Sequence, residues 1–176
     1  MRILIYLSHT AQFLFCKIAV TELKSKGHKI YLLIKAKDIL SNLLDKSGLE
    51  YHNIIPKAIV NSKLSILLNH VKRDWKLFHF ARKRKIDLLM GSDASLAPVG
   101  KLLKIPCVTT HEDDYYVIKV LAIFTYPFTT KILAPVVCGV GQWNHKKISC
   151  DGYMKLAYLY PSCFEPDKQK IIIGPV

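Results

Sequence analysis

Arg2-Ile3-Leu4-Ile5-Tyr6-Leu7 is an unbroken apolar run that passes directly into Ser8-His9-Thr10-Ala11-Gln12 and then into a helical pattern, with no glycine at the junction. A strand apolar at consecutive rather than alternate positions belongs in a sheet covered on both faces. Apolar strand, tight polar turn and amphipathic helix together open a doubly wound α/β domain, whose first strand-to-helix turn faces the ligand crevice. A dinucleotide-binding domain places G-x-G-x-x-G at this turn so that its backbone can approach a pyrophosphate. This chain places a hydroxyl, an imidazole and an amide there instead. The stretch therefore predicts the architecture, disfavours a dinucleotide cofactor and makes Ser8, His9 and Gln12 candidates for contact with a polar ligand.

The same alternation continues outward. Helical spacing over 11–26 ends at Gly27, which suits a helix C-terminus; 28–34 reads as strand two, and Asp38 begins a short helix that closes at Gly48. Strand three spans 50–55 and stops at Pro56. A longer helix over 63–85 carries Leu64, Leu67, Leu68, Val71, Trp75 and Phe78 at helical spacing. Its polar side holds Lys72, Arg73 and Lys76, and it ends in Arg82-Lys83-Arg84-Lys85, where cations offset the macrodipole. Strand four (86–90) meets Gly91-Ser92-Asp93-Ala94-Ser95 and a helix to 104, and strand five (106–110) ends in His111-Glu112-Asp113-Asp114. An apolar helix over 117–126, strands at 131–134 and 147–150, and the segment 151–160 complete the pattern. Strands separated by helices imply right-handed crossovers and a parallel sheet, with ligands outside the carboxyl ends of the strands. The junctions at 8–12, 91–95 and 111–114 all fall on that edge.

A chain of 176 residues, 51% of them hydrophobic, is long enough for one domain with a full core. Lys and Arg number 26 against 13 Asp and Glu, a net charge of +13. Such an excess favours anionic partners such as lipid headgroups or phosphorylated ligands, or else reflects lysine-rich composition. The aromatic residues are not interleaved with the basic ones, so a nucleic-acid groove is not expected. Cys16, Cys107, Cys138, Cys150 and Cys163 form no C-x-x-C pair and read as reduced, mostly buried thiols of a cytoplasmic protein. The opening apolar run is strand-length and lacks a cleavage site, so it is not a signal peptide. The uncharged stretch 120–130 is too short to cross a bilayer.

The junctions also carry the candidate chemistry. Three adjacent carboxylates at Glu112, Asp113 and Asp114 are expected to raise one another's pKa, which suits a general base; alternatively Asp113 or Asp114 caps the next helix. Helix N–H groups behind Gly91-Ser92-Asp93 suit a phosphate, with Ser92 and Ser95 as added donors, or the turn is simply capped by Ser92 or Asp93. His9 is a candidate base or ligand grip. Carboxylates with one His could hold a divalent ion, but no ligand spacing here is diagnostic of a metal site, and no nucleophile elbow or P-loop occurs.

The run Ser8-His9-Thr10-Ala11-Gln12-Phe13-Leu14-Phe15 resembles the H-P-A-H-x-x-x-F opening of a family of uncharacterised GT-B-like proteins related to UDP-N-acetylglucosamine 2-epimerase and to glycosyltransferases. The likeness continues in Leu23–His28, in 91–106, and in Asp151-Gly152-Tyr153-Met154-Lys155-Leu156-Ala157-Tyr158-Leu159, which is similar to the family's N-G-Y-x-E-L-A-Y-L. Thr10 stands for the family's proline, Gln12 for its second histidine and Lys155 for its glutamate. The epimerase run G-D-T…I-P-V-x-H-x-E-A-G is similar to Gly91-Ser92-Asp93…Ile105-Pro106-Cys107-Val108-Thr109-Thr110-His111-Glu112, which lays Asp93 and Glu112 on acidic positions of the epimerase site. That enzyme's further glutamate motif and C-terminal histidine have no counterpart.

The resemblance implies an α/β, Rossmann-like doubly wound sheet equivalent to the N-terminal, acceptor-side half of a GT-B fold over 1–165. Residues 166–176 would begin a linker or a C-terminal domain. It implies a glycosyltransferase-like role in surface polysaccharide or glycolipid biosynthesis, with His9, Asp93 and Glu112 as catalytic candidates. Ser8, Gln12, Gly91, Ser92, His111, Asp113 and Tyr153 would contact substrate. A UDP-sugar would be a substrate rather than a cofactor, with a sugar or lipid-linked acceptor, a partner chain supplying the C-terminal domain, and peripheral contact with the anionic inner face of the membrane. The alternatives are a non-catalytic binding or partner domain, a truncated remnant, and a UDP-sugar 2-epimerase-like enzyme.

Overall fold

The computed structural model describes residues 1–35, 38–55 and 63–161, so Pro56, Cys163 and the segment read as 166–176 lie outside the described residues. Seven strands are formed by Arg2–Leu7 (β1), Lys29–Lys35 (β2), Tyr51–Ile55 (β3), Leu88–Gly91 (β4), Cys107–Thr110 (β5), Lys131–Pro135 (β6) and Lys147–Cys150 (β7). Between and after them run helices Thr10–Ser25 (α1), Asp38–Lys46 (α2), Lys63–Lys83 (α3), Leu96–Leu103 (α4), Lys119–Thr125 (α5) and Leu156–Leu159 (α6). All strand pairs are parallel, in the order β3-β2-β1-β4-β5-β6-β7. This is the expected Rossmann-like doubly wound fold, and its strand order reverses between β1 and β4.

The continuous apolar run of β1 is explained by its two neighbouring layers. Leu4 and Tyr6 pack with Leu33, Leu77, Ala81 and Leu96 beneath α3 and α4. Ile3, Ile5 and Leu7 point the other way, onto Phe13, Cys16 and Val20 of α1 and Leu40 and Leu44 of α2. Burying each such side chain stabilises the fold by roughly 1.5–3 kcal/mol. A third cluster, Ala122, Tyr126, Ile132, Ala134 and Val140, closes the β6 end of the sheet. There Lys146 Nζ donates to the carbonyls of Tyr126, Pro127 and Thr129, a cation placed on the exit of α5.

Two local features differ from the sequence reading. The helix expected over 117–126 starts later, because the Asp114 carbonyl accepts the N–H groups of Val117 and Ile118 in a preceding turn. A 3-10 turn at Gly141–Lys146 was not anticipated. The Arg82–Lys85 run lies at the edge of the sheet opposite the carboxyl ends of the strands: α3 runs antiparallel to them, and the Arg84 guanidinium lies 5.4 Å from the ring of Tyr31, near the start of β2. Cys16, Cys107 and Cys138 are buried free thiols, and Cys150 is half-buried. No helix among the described residues is long and apolar enough to cross a membrane.

Gly91 ends β4 at φ +152°, where it pairs with Tyr6 of β1. A Cβ at this position would sit 2.5 Å from the Tyr6 carbonyl oxygen and 2.8 Å from Leu96 Cδ1. Gly91→Ala is therefore expected to cost ~1–3 kcal/mol through backbone strain and displacement of β1. Urea denaturation should show the lower midpoint at an unchanged m-value, and an unshifted midpoint would contradict this packing.

Candidate functional site

Each polar junction is built by local hydrogen bonds that decide which of its groups remain available. At the end of β1, His9 is the extended N-cap of α1, and its Nδ1 accepts the Ala11 N–H at 3.4 Å. Gln12 Oε1 accepts both the Ser8 N–H (2.9 Å) and the Ser8 hydroxyl (3.2 Å). The turn closes through side chains and so dispenses with glycine. What it offers outward are the far nitrogen of His9 and the Gln12 amide nitrogen.

At the end of β4, the Ser92 hydroxyl donates to the Thr110 carbonyl at 2.6 Å, tying this junction to the end of β5. Asp93 Oδ1 accepts the Ser95 N–H at 2.9 Å, and Oδ2 lies 3.3 Å from Arg73 Nη1 in an ion pair whose side chains are 7% and 10% exposed. Asp93 thus binds α3 to the β4–α4 turn. Ser95, rather than Ser92 or Asp93, stands at the N-cap of α4 and makes no side-chain cap bond.

The acidic turn after β5 divides its labour. Asp114 accepts the N–H groups of Tyr116 (3.1 Å) and Gly139 (3.0 Å), and these donors hold its carboxyl below the ordinary carboxylate range. That corrects the expectation that the three carboxylates raise one another: at Asp114, hydrogen bonding to the ionised form wins. Glu112 Oε2 and His111 Nε2 are buried without a hydrogen-bond partner among the described residues. Burial lowers the His111 pKa from 6.5 to about 4, a shift that Asp113 opposes.

These junctions converge on two adjoining lobes of one crevice at the β1–β4 switch point. The first, about 300 Å³, is lined by His9, Ala11, Gln12, Ser92, Thr110, His111, Glu112, Asp113, Met154, Lys155 and Tyr158. The second, about 480 Å³, shares His9, Gln12, Ser92, His111 and Asp113, and adds Ser8, Lys35, Asp93, Ile118 and Leu121. Eight of the ten residues singled out in the sequence therefore line the crevice. Gly91 shapes it from behind through its contact with Tyr6, and Tyr153 is half exposed and lines neither lobe. Sequence reasoning missed Lys35, Thr110, Met154 and Tyr158. Lys155 was visible only as a departure from a motif; the 151–160 segment, folded against α1, carries it into the first lobe.

The fold is shared with GT-B-type proteins. The structure matches MnaA of S. aureus in complex with UDP at a TM-score of 0.64 and 12% identity, over 84% of this chain and 44% of that one. It matches the UDP-GlcNAc 2-epimerase of Neisseria meningitidis bound to UDP-GlcNAc at a TM-score of 0.62 and 14% identity, over 77% and 40%. For the Streptomyces glycosyltransferase SsfS6 complexed with thymidine diphosphate the TM-score is 0.55 and the identity 14%, over 78% and 49%. The chain thus spans less than half the length of these structures. No protein-family model and no curated protein sequence matches it.

The state of His111 gives a pH dependence. Buried, it stays neutral down to about pH 4, whereas in the unfolded chain it titrates at its ordinary 6.5. Between those values the unfolded state binds the extra proton, so stability rises with pH and is lost as pH falls through the window, by up to about 3 kcal/mol. Urea titrations at pH 7 and pH 4.5 should show a larger acid loss for the native chain than for His111→Gln; equal losses would exclude the assignment.

Proposed function

We propose that this chain is the acceptor-side half of a glycosyltransferase-like protein of surface polysaccharide or glycolipid assembly. The observation that carries the reading is the first lobe, which Glu112 and His111 line together with His9 and Lys155, with Glu112 Oε2 and His111 Nε2 buried in its wall without a hydrogen-bond partner among the described residues. The GT-B-type fold supports it, as do neighbours whose structures hold UDP, UDP-GlcNAc or thymidine diphosphate.

In this reading the acceptor hydroxyl enters the first lobe and Glu112 takes its proton as the oxygen attacks the anomeric carbon. The bond to the nucleotide diphosphate breaks, and its electron pair leaves with the phosphate oxygen. General-base catalysis of this kind contributes roughly 10²–10⁴ in rate. His9, His111 and Gln12 orient the acceptor. Asp93, engaged by Arg73 and the Ser95 N–H, acts as a positioning residue rather than as the base. The nucleotide is held largely by a second domain or partner chain. Peripheral contact with an anionic membrane belongs to the same proposal, through exposed Lys72 and Lys119 together with the apolar surface of α5.

A second reading, a non-catalytic sugar-binding half, is favoured by that engagement of Asp93. An NMR titration with simple glycosides and UDP-GlcNAc, paired with a transfer assay in the presence of a nucleotide-binding half, separates the two. Acceptor glycosides are expected to shift the imidazole resonances of His9 and His111. Glu112→Gln should retain that binding and lower transfer by about 10²–10⁴. Binding with no transfer in the unsubstituted protein selects the second reading, and imidazoles that respond to no sugar overturn both.

A further inference from the structure

Four helices close in the same way at the edge of the sheet away from the crevice. α1, α2, α3 and α4 each end in a six-to-one hydrogen bond: the His28 N–H to the Leu23 carbonyl, Leu49 to Leu44, Ile86 to Ala81 and Ile105 to Gly100. Such a closure puts the residue before the donor in the left-handed region, where glycine is favoured. α1 and α2 comply, with Gly27 at φ +79° and Gly48 at φ +63°. α3 and α4 carry Lys85 at φ +50° and Lys104 at φ +57° instead, the non-glycine positions of positive φ among the described residues. A lysine there bears a conformational cost that glycine would avoid. Helix dipoles do not account for it, because Arg82 and Lys83 already occupy the last turn of α3 and Lys101 that of α4.

The two lysines join a row of cations. Lys29, Arg82, Lys83 and Arg84 are exposed beside them, and none of the six pairs with a carboxylate among the described residues. Rings rather than anions steady two of them. The Arg84 guanidinium lies 5.4 Å from the Tyr31 ring and 5.5 Å from the Phe80 ring, and Lys29 Nζ lies 5.5 Å from the same Tyr31 ring. The carboxylates of this edge are engaged or lie to one side. Asp87 accepts the Arg2 N–H and pairs with its guanidinium, Glu22 pairs with Lys26, and Asp45 and Glu50 line a separate cavity beside β3. From the entrance of β2 to that of β5 the row crosses β1 and β4, roughly 14 Å, a span that a few extended residues cover.

We infer that this edge docks an acidic polypeptide segment, a run of Asp and Glu side chains on another protein, along the row from Lys29 to Lys104. Two cations over one ring without a counter-ion repel each other, and an anionic chain relieves that repulsion. Carboxylates suit the row because a guanidinium presents its donors in pairs that match both oxygens. Nucleic acid suits it less. Tyr31 is 8% exposed and Phe80 is half-buried beneath Arg84, so no free aromatic face awaits a base. A bilayer presents a plane of charge, whereas these cations form a line along one edge. The inference is independent of the crevice reading, since the crevice lies at the opposite ends of the strands.

The test titrates the full chain at low salt with an oligoglutamate peptide of about ten residues, long enough to span the row, while amide NMR spectra are recorded. The peptide should shift the amides of Lys29, Arg84 and Lys104 and leave those of His9 and His111 in place, and its affinity should fall steeply with added salt. The double variant K85G/K104G separates docking from folding. Glycine relieves the left-handed strain, so the urea midpoint should hold or rise while peptide affinity drops at least roughly threefold. Arg84→Lys keeps the charge but loses the fork, and should weaken the peptide by a similar factor. No binding, shifts confined to other faces, or an affinity that neither variant changes overturns the inference. So does a lowered midpoint of K85G/K104G with unchanged affinity, which leaves the lysines a role in the fold alone. An oligothymidylate of equal charge, or anionic vesicles, binding at least as tightly as the peptide also overturns it. The crevice reading survives each of these results.

Discussion

The approach of β4 to β1 at Gly91 and Tyr6 is the constraint on which the rest of the molecule depends. β1 is flanked on both sides by parallel strands, with Tyr6 opposite Leu33 of β2 and opposite Gly91 of β4. Beyond this point α1 leaves toward one layer and α4 toward the other, and the divergence opens the crevice. A side chain at position 91 would force the strands apart where the floor of the crevice is formed. With hydrogen there, the Ser92 hydroxyl reaches the Thr110 carbonyl and brings the third junction into line with the first two. Backbone packing sets the floor, and side chains from three junctions supply the walls.

The Arg73–Asp93 pair is the second determinant, and its value is positional. A buried ion pair contributes little net stability, because desolvating both charges costs about as much as their attraction returns. Removing one partner is another matter, since it strands the other charge in an apolar surrounding. The pair ties α3 to the β4–α4 turn, with Asp93 on the wall of the second lobe. The Tyr6 hydroxyl beneath it is buried, and its pKa is raised chiefly by burial and next by Asp93. An acidic residue at the edge of the crevice is thereby converted from a reagent into a support.

What the sequence disclosed and what it withheld follow the same division. Consecutive apolar residues in β1 and β2 revealed strands covered on both faces, and the three polar junctions followed from the parallel order. Which junction groups remain available depended on partners distant in sequence. Asp93 is consumed by Arg73 across a crossover, Asp114 by Gly139, and Ser92 by Thr110. No local pattern encodes those pairings. The basic run at 82–85 was legible as composition but not as location, because the direction of α3 carries it to the edge away from the crevice. Lys155 enters the first lobe only because the 151–160 segment packs on α1, a tertiary fact without a periodic signature.

The glycine-free turn at Ser8–Gln12 gives the crevice its chemical sense. His9 Nδ1 accepts from Ala11, so in the neutral ring the proton resides on Nε2, a tautomer assigned from that bond. Gln12 spends its oxygen on Ser8 and keeps its NH2 group. The lip of the first lobe therefore presents donors, while Glu112 and Asp113 on the same lobe present acceptors. A bare phosphate, which only accepts, would be attracted by the lip and repelled by the carboxylates. A hydroxyl donates and accepts at once, and satisfies both sides. Replacing the turn's glycines with hydrogen-bonding side chains thus removes a pyrophosphate cradle and leaves a lobe whose polarity is matched to the hydroxyl groups of a sugar.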